Sequence, residues 1–325
     1  MPSLLDPIKI GNIILKNRIV MPPMARNLST IDGEPKSKLI DHYAKRADHL
    51  GLVIVEHSYV SVDGKLSERQ LGIDKDDLIP SLKKLSDAIK KRGASACIQI
   101  THAGGKAQKD IIGMKPKAPS KDFFEKDIEE LTINEMKEIK KDFGEAALRA
   151  EKAGFDAVEI HGAHGFLLSE FVSPLSNKRK DKYGGSLDNR LRYPFEIVQE
   201  VKKSIKDIPL FYRLGATDML EGGFNIEEAK YMAKRLEKHG VDVVDVSGGL
   251  CGSVPPEFEG KQGYFVSIAE QIKKEIDVPV IGVGGIKDHK YADRVIREDK
   301  IDMVAVGRAL LKNPNWAKEA KDKLK

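Results

Sequence analysis

Two histidines three residues apart, His161 and His164, lie in the segment Glu-Ile-His-Gly-Ala-His-Gly, directly after a short apolar run. At this spacing the two imidazole rings can converge on one ligand and donate hydrogen bonds to a carbonyl or carboxylate oxygen. A metal ion would need a third ligand, and no HxxE motif or cysteine is suitably spaced to supply one. We therefore expect a paired-donor site and no metal, with two structural histidines as the alternative.

Glycines follow the last two apolar runs, at Gly284 and Gly285 and again at Gly307, which precedes Arg308. Glycine lets backbone N–H groups approach a phosphate closely, and the start of a short helix adds its dipole. Arg308 can add a bidentate charged contact. The pattern predicts a phosphate site, while glycines that only turn the chain are the alternative.

A glutamine and an arginine, Gln99 and Arg213, interrupt two other apolar runs. A charge within a buried strand needs an anionic or strongly accepting partner. An amide and a guanidinium that face one pocket suit the pyrimidine edge of a flavin, and a fixed cation near N1 stabilises the reduced form. For Arg213 an internal ion pair is the alternative interpretation.

The elements that must position these residues alternate regularly along the chain. Short apolar runs, the candidate strands, are separated by amphipathic segments with helical spacing, as in parallel sheets joined by helices. The candidate strands are 18–21, 52–56, 96–100, 157–160, 210–214, 243–246, 280–283 and 303–306. The candidate helices are 36–50, 78–92, 133–153, 190–206, 226–239, 266–275, 289–298 and a last one from about 315.

Eight such units predict an α/β fold, a (β/α)8 TIM barrel formed by one domain over residues 1–325. A doubly wound sheet is the alternative. Thr132 and Glu135 form a capping box before one helix. Residues 8–15 suggest an N-terminal hairpin that closes the barrel bottom. Long loops at 101–131, 161–189 and 247–265 follow strands, where barrel enzymes carry their chemistry.

The composition excludes several classes of protein. The net charge of +5 is spread along the chain, which argues against a nucleic-acid partner. Two cysteines, Cys97 and Cys251, do not make a disulfide framework or a cluster motif. Because we find no signal peptide and no apolar run near the ~20 residues that a membrane span needs, we expect a cytoplasmic protein without a membrane partner.

Longer motifs show a resemblance that covers nearly the whole chain. The matching segments are 16–24, 53–56, 99–107, 118–120, 159–171, 173–177 and 181–190. With these segments the sequence resembles the Old Yellow Enzyme type of FMN-dependent NADH:flavin oxidoreductase, the ene-reductase family. It looks most similar to the barrel domain of 2-enoate and 2,4-dienoyl-CoA reductases.

The resemblance implies FMN as cofactor and NADH or NADPH as reductant. It implies that His161 and His164 bind the substrate oxygen above the flavin, an oxyanion-type stabilisation. It also implies a set of cofactor contacts: Pro23, Met24 and Ala25 at the flavin ring, Gln99 and Arg213 at its pyrimidine edge, and Ser247, Gly284, Gly285, Gly307 and Arg308 at the phosphate.

The sequence departs from the family pattern at Phe166, where the family usually carries a tyrosine that protonates the substrate carbon. Tyr59, Tyr264 and Cys251 are candidates for the substrate pocket and for this role. A second departure is Ala25, where other branches have cysteine or threonine. Without the iron–sulfur domain of the longer reductases, we expect hydride from the nicotinamide directly or from a separate electron-donor protein, and we expect a homo-oligomer.

Four functions are compatible with these residues. The first is reduction of the activated C=C bond of a small α,β-unsaturated carbonyl, acid or thioester. The second is a flavin reductase, oxidase or desaturase, for which Phe166 is no handicap. The third, a flavin-free isomerase or aldolase for a sugar phosphate, leaves Gln99 and Arg213 unexplained. The fourth, a non-enzymatic scaffold, does not account for polar residues at several strand ends.

Overall fold

Eight parallel strands close into a barrel in the computed structural model, which describes residues 1–123 and 127–324. Each strand pairs with the next in the chain, and the last pairs with the first. The strands are β1 (Ile19–Met21), β2 (Leu52–Tyr59), β3 (Ser95–Thr101), β4 (Ala157–Gly162), β5 (Leu210–Gly215), β6 (Val243–Ser247), β7 (Val280–Gly282) and β8 (Met303–Ala305). The predicted (β/α)8 barrel is confirmed.

Helices surround the barrel, and an apolar layer lies between the two. They are α1 (Ser37–Ala47), α2 (Ile79–Lys90), α3 (Ile133–Lys152), α4 (Leu187–Ser204), α5 (Ile226–Lys238), α6 (Val266–Lys273), α7 (His289–Arg297) and α8 (Trp316–Lys323). Helix α3 begins with the expected capping box: Glu135 N–H donates to the Thr132 hydroxyl at 3.3 Å, and Thr132 N–H donates to the Glu135 carboxylate at 2.9 Å. These reciprocal bonds satisfy N–H groups that the first turn leaves without partners.

A hairpin of Ile8–Ile10 and Ile13–Leu15 precedes the barrel, as the sequence predicts. Ile10 and Leu15 are buried and belong to one apolar cluster with inward residues of the strands, among them Val20 and Phe211. This cluster, which we call the plug, fills the barrel interior at the end where the strands begin. The described residues thus pack the barrel interior at this end, and the opposite end, where the strands terminate, is where a barrel enzyme carries its site.

Side chains at every second position of a strand share one face, and four strands change from apolar to polar along their inner face. Cys97 is followed by Gln99 on β3, and Phe211 by Arg213 on β5. The same spacing takes Ala157 to Glu159 and His161 on β4, and Val243 to Asp245 and Ser247 on β6. A polar layer thus lies above the apolar plug.

The long loops are also where the sequence places them. The first contains the short helix Lys109–Ile112, the second contains Leu167–Val172, and the third runs from β6 to α6. Residues 124–126, within the predicted loop 101–131, lie outside the described residues. Among the described residues, no helix is long and apolar enough to cross a membrane.

Candidate active site

A cavity of about 470 Å³ lies where the carboxyl ends of the strands meet; we call it the strand-end cavity. It brings together residues that are far apart in the sequence and that the sequence singled out. These are Pro23, Met24, Ala25, Gln99, His161, His164, Phe166, Arg213, Ser247, Tyr264, Gly285, Gly307 and Arg308. Their convergence is what the βα loops of a barrel enzyme produce.

Three of the sequence-predicted residues lie outside this lining. The Tyr59 ring is buried against Gly33 and Gly72, whose added Cβ atoms would come within 2.5 and 2.8 Å of its hydroxyl oxygen. The Cys251 thiol donates to the Thr217 carbonyl oxygen at 3.2 Å, and burial raises its pKa to about 11. Gly284 lies beneath Tyr264, since an added Cβ would be 2.7 Å from the backbone nitrogen of that residue.

The two histidines stand side by side at the end of β4, with ring centroids 5.1 Å apart. His161 ends the inward row of β4, and His164 reaches the same place because its backbone is left-handed, with φ of 59°. The His164 backbone N–H is anchored to the Gly248 carbonyl oxygen at 2.9 Å. The loop thus turns back sharply enough to place both rings in one cavity.

Both imidazoles are neutral at neutral pH. Burial lowers the pKa of His161 and of His164 well below the usual value, and the Arg213 charge lowers both further. His164 Nε2 lies 2.7 Å from the Ser247 hydroxyl oxygen. His161 Nδ1 is buried and makes no hydrogen bond with any described residue. Such a nitrogen can be satisfied by a bound ligand or an ordered water.

Ser247 has a side-chain partner that the sequence did not indicate. The resemblance implies a contact with the phosphate, which stays a prediction, and in the structure the hydroxyl group pairs with His164. If the hydroxyl donates to Nε2, the neutral His164 ring carries its proton on Nδ1. The serine then fixes which nitrogen of His164 can donate to a ligand.

The polar layer beneath the histidines contains two carboxyl groups that sequence reasoning missed. The Gln99 amide donates to the Glu159 carboxyl oxygen at 2.8 Å, and Arg213 lies 3.2 Å from Asp245. Burial raises the pKa of Glu159 well above its usual value and raises that of Asp245, and each acts on the other. The signal was available, because Glu159 lies two residues before His161 and Asp245 two before Ser247.

Arg213 and Gln99 bring polar side chains of this layer to the cavity. The Nη1 atom of Arg213 lies 3.2 Å from the Asp245 carboxylate, and its buried Nε makes no hydrogen bond with any described residue. Arg213 thus makes the internal ion pair that the sequence offered as an alternative, and it also lines the cavity, so its contact with a ligand stays a prediction. A guanidinium and an amide at one cavity suit the acceptor-rich pyrimidine edge of FMN.

The glycines after β7 and β8 form a close cradle. A Cβ at Gly307 would lie 3.2 Å from the Met24 sulfur, and one at Gly285 would lie 2.6 Å from the Lys261 carbonyl oxygen. Gly285 also has φ of 60°, which favours glycine. Arg308 borders the cradle, and its Nη2 donates to the Tyr264 hydroxyl at 3.3 Å. Backbone N–H groups with an adjacent guanidinium fit a phosphate.

The cavity is also lined by residues that the sequence did not indicate, among them His57, Lys106 and Leu66. The Lys106 ammonium donates to the His164 carbonyl oxygen. His57 enters the cavity through an irregularity of β2, where Glu56 and His57 together oppose the single residue Gln99 of β3. Such a bulge redirects a side chain and has no reliable sequence signal, because it depends on the partner strand.

Polar side chains in a cavity at the strand ends, with a glycine cradle and Arg308 after the last two strands of a barrel, fit an FMN-dependent oxidoreductase. The chain belongs to the NADH:flavin oxidoreductase / NADH oxidase family, whose sequence model matches residues 3–325. It is an NAD(P)H-dependent flavoenzyme that uses FMN. The resemblance found in the sequence is thereby confirmed.

Two curated relatives differ in length. An NADH oxidase of Thermoanaerobacter brockii is 43% identical over 99% of this chain, which covers 51% of that protein. An NADPH dehydrogenase of Halalkalibacterium halodurans is 41% identical over 96% of this chain, which covers 91% of that protein. The chain thus spans about half of the first relative and almost all of the second.

Two solved structures share the barrel. A 2-naphthoyl-CoA reductase in complex with 2-naphthoyl-CoA has a TM-score of 0.94 at 29% identity, covering 99% of this chain and 52% of its own. An old yellow enzyme homologue from Zymomonas mobilis has a TM-score of 0.85 at 26% identity, covering all of this chain and 94% of its own. The full barrel is common to all three proteins.

Proposed function

We propose that the enzyme reduces the activated C=C bond of a small α,β-unsaturated carbonyl compound, acid or thioester at the expense of NADH or NADPH. One observation carries this proposal: the neutral rings of His161 and His164 lie 5.1 Å apart between centroids in the strand-end cavity, and the Nδ1 atom of His161 makes no hydrogen bond with any described residue. Two neutral N–H donors suit a carbonyl oxygen on which negative charge develops.

FMN, when bound, supplies the hydride that is first taken from the nicotinamide. Gln99 and Arg213 would hold its pyrimidine edge, and Gly285, Gly307 and Arg308 would hold its phosphate, since all five line the strand-end cavity. The positive charge of Arg213 favours the electron-rich reduced form. Pro23 and Met24 line the same cavity and would lie at the flavin ring.

The histidine pair acts on the substrate oxygen. Hydrogen bonds from His161 and His164 draw electron density from the C=C bond and stabilise the charge that hydride addition leaves on oxygen. Because burial keeps both rings neutral, they polarise the carbonyl without transferring a proton to it at the outset. A 2-naphthoyl-CoA reductase among the structural neighbours supports thioesters as one substrate class.

The proposal is tested by turnover of 2-cyclohexenone, a free enoate and an enoyl thioester with NADH or NADPH, in the native enzyme and in His161→Ala and His164→Ala variants. We expect saturated products from the native enzyme and a loss of about 10²–10³ in kcat in each variant, as for removal of an oxyanion donor. FMN content should be retained. Full activity in both variants would contradict the assignment.

A second function is favoured by one observation, the phenylalanine at the cavity wall. Phe166 lies 4.5 Å from the His161 ring centroid and has no hydroxyl group to supply a proton. An oxidase or flavin reductase does not need to protonate carbon. If aerobic NAD(P)H consumption yields hydrogen peroxide at the same rate with and without an enone, and no saturated product, this second function replaces the first.

A further inference from the structure

Saturation of a C=C bond requires a proton at one carbon in addition to a hydride at the other. In the strand-end cavity the candidate donors are side chains with N–H or O–H groups. The Tyr264 hydroxyl donates to the Ser253 carbonyl oxygen at 2.9 Å, and the Lys106 ammonium donates to the His164 carbonyl oxygen. Under the proposed function, His161 and His164 are committed to the substrate oxygen.

His57 also lines this cavity, and its position is built by the β2 bulge. Its ring lies 5.4 Å from the Phe166 ring and 6.4 Å from the His161 ring, measured between centroids. It lines the strand-end cavity together with both residues. A substrate whose oxygen is held by His161 and His164 therefore has His57 at the adjacent wall.

Gln70 determines which nitrogen of His57 carries the proton. The Gln70 Oε1 atom accepts the Leu66 backbone N–H at 2.6 Å, so the orientation of the amide is fixed by a group that can only donate. Its Nε2 group then faces His57, at 2.8 Å from Nδ1 and 3.1 Å from the carbonyl oxygen. Because an amide nitrogen donates, Nδ1 accepts, and the neutral ring carries its proton on Nε2.

We propose that His57 is the proton donor of the reaction and that Gln70 is its positioning residue. The proposal rests on the proposed function. The C=C bond receives a hydride at the β-carbon from the reduced flavin and a proton at the α-carbon from His57 Nε2. The N–H bond breaks as the C–H bond forms, the flavin is oxidised, the alkene is reduced, and water restores the proton on Nε2.

The electrostatics agree with a neutral donor. Burial lowers the pKa of His57 to about 4, so the ring is uncharged at neutral pH. The Gln70 NH₂ group that faces Nδ1 also opposes a second proton there. The ring therefore acts as a neutral N–H acid that becomes useful only when hydride addition makes the neighbouring carbon strongly basic.

The test separates the two half-reactions in rapid-mixing experiments on the FMN-loaded enzyme. In His57→Phe, flavin reduction by NAD(P)H should stay within about two-fold of native. Reoxidation by 2-cyclohexenone should slow by about 10²–10⁴, the usual contribution of a general acid. Reoxidation by 1,4-benzoquinone, which is protonated on oxygen and needs no carbon acid, should be unchanged. Tyr59→Phe, on the same strand but outside the cavity, is the matched control and should match the native enzyme in all three reactions.

Rescue distinguishes a proton donor from a structural residue. Adding Phe166→Tyr to His57→Phe places a hydroxyl group beside the lost imidazole and should restore reoxidation by the enone by about tenfold or more. His57→Gln, which keeps a polar group at the bulge, should show the same selective loss if His57→Phe does not fold. Equal losses with enone and quinone, or no loss with either, would overturn the assignment of His57.

A readout without catalysis uses isotope-labelled histidine and NMR, with and without FMN. We expect the His57 signals, identified by their absence in His57→Phe, to report a neutral ring protonated on Nε2. Protonation on Nδ1 would overturn the role of Gln70 and of His57. A native enzyme that no unsaturated acceptor reoxidises would instead overturn the proposed function, whatever the NMR result.

Discussion

At the scale of single residues, the site depends on charges that are balanced inside the barrel. Arg213 supplies the positive charge beneath the cavity, and Asp245 at 3.2 Å offsets part of it. Gln99 and Arg213 could be predicted because a polar residue within an apolar strand is conspicuous. Glu159 and Asp245 obey the same rule and were missed only because the two-residue spacing was not followed inward from His161 and Ser247.

Replacing Arg213 by glutamine should weaken FMN and disfavour its reduced form. The side chain keeps hydrogen-bond donors but loses its charge, so the midpoint potential should fall and the FMN dissociation constant should rise by about tenfold or more. Anaerobic potentiometric titration and fluorescence of released FMN measure the two effects.

The control for this variant also removes the charge of Asp245, the buried partner of Arg213. Removing one member of a buried ion pair leaves an uncompensated charge that costs about 3–5 kcal/mol. The double variant Arg213→Gln with Asp245→Asn should therefore recover thermal stability but not the midpoint potential. If both recover together, Arg213 acts on folding and not on the cofactor.

At the scale of elements, capping and loop chemistry were predictable, whereas the course of β2 was not. Helix α3 starts where the Thr132 capping box indicates. Strand β2 continues to Tyr59, past the predicted end at residue 56, because of the bulge opposite Gln99. The bulge also turns Glu56 outward to α1, where the Tyr43 hydroxyl donates to its carboxyl oxygen at 3.1 Å. One irregularity thus positions a helix on one side and His57 on the other.

The contact between β2 and α1 predicts a pH-dependent effect of Glu56→Gln. Burial raises the pKa of Glu56 to about 7. The pKa of a glutamate in the unfolded chain is about 4.3. Between these two pKa values the folded chain binds more protons than the unfolded chain, so the stability of the fold falls as the pH rises. The Glu56→Gln variant does not lose stability in this way. Between these two pH values its free energy of unfolding should therefore rise by on the order of 3 kcal/mol relative to that of the native protein. Urea unfolding at several pH values measures it; parallel pH profiles would contradict it.

The glycines in the loop after β7 predict an effect on how tightly the enzyme binds the FMN phosphate. Gly285→Ala would bring a Cβ to 2.6 Å from the Lys261 carbonyl oxygen at a left-handed position with φ of 60°. Gly260→Ala is a matched control, since it has φ of 78° and nothing within 4 Å of the added Cβ. We expect FMN affinity to fall by about tenfold in the first variant and to stay near native in the second. Equal titration curves would contradict a cradle at Gly285.

At the scale of the whole molecule, the eight-fold alternation was enough to predict the barrel, and the hairpin pattern was enough to predict its plug. What the sequence could not supply is which loop residues meet in the cavity. His57 and Lys106 come from loops and strands far from the histidine pair, and their approach depends on barrel closure. Tyr59, by contrast, lies only two residues after His57 on β2, but its ring packs beside Gly33 and Gly72 and does not line the cavity.

The plug separates stability from function. Leu15 is fully buried inside the barrel, whereas its neighbour Ile14 is 69% exposed. Leu15→Ala should lower the free energy of unfolding by about 2–5 kcal/mol through the cavity it leaves. Ile14→Ala should change it by less than about 0.5 kcal/mol. Because the plug lies below the polar layer, FMN affinity should be native in both variants; a loss in Leu15→Ala would show that the two ends are coupled.

The most direct test of the central claim is an anaerobic absorbance titration of the FMN-loaded protein. We predict that NADH or NADPH bleaches the flavin band and that an unsaturated acceptor, 2-cyclohexenone or an enoate, restores it with formation of the saturated product. Bleaching that is reversed only when oxygen is admitted would contradict reduction of an activated C=C bond and would identify the enzyme as an oxidase.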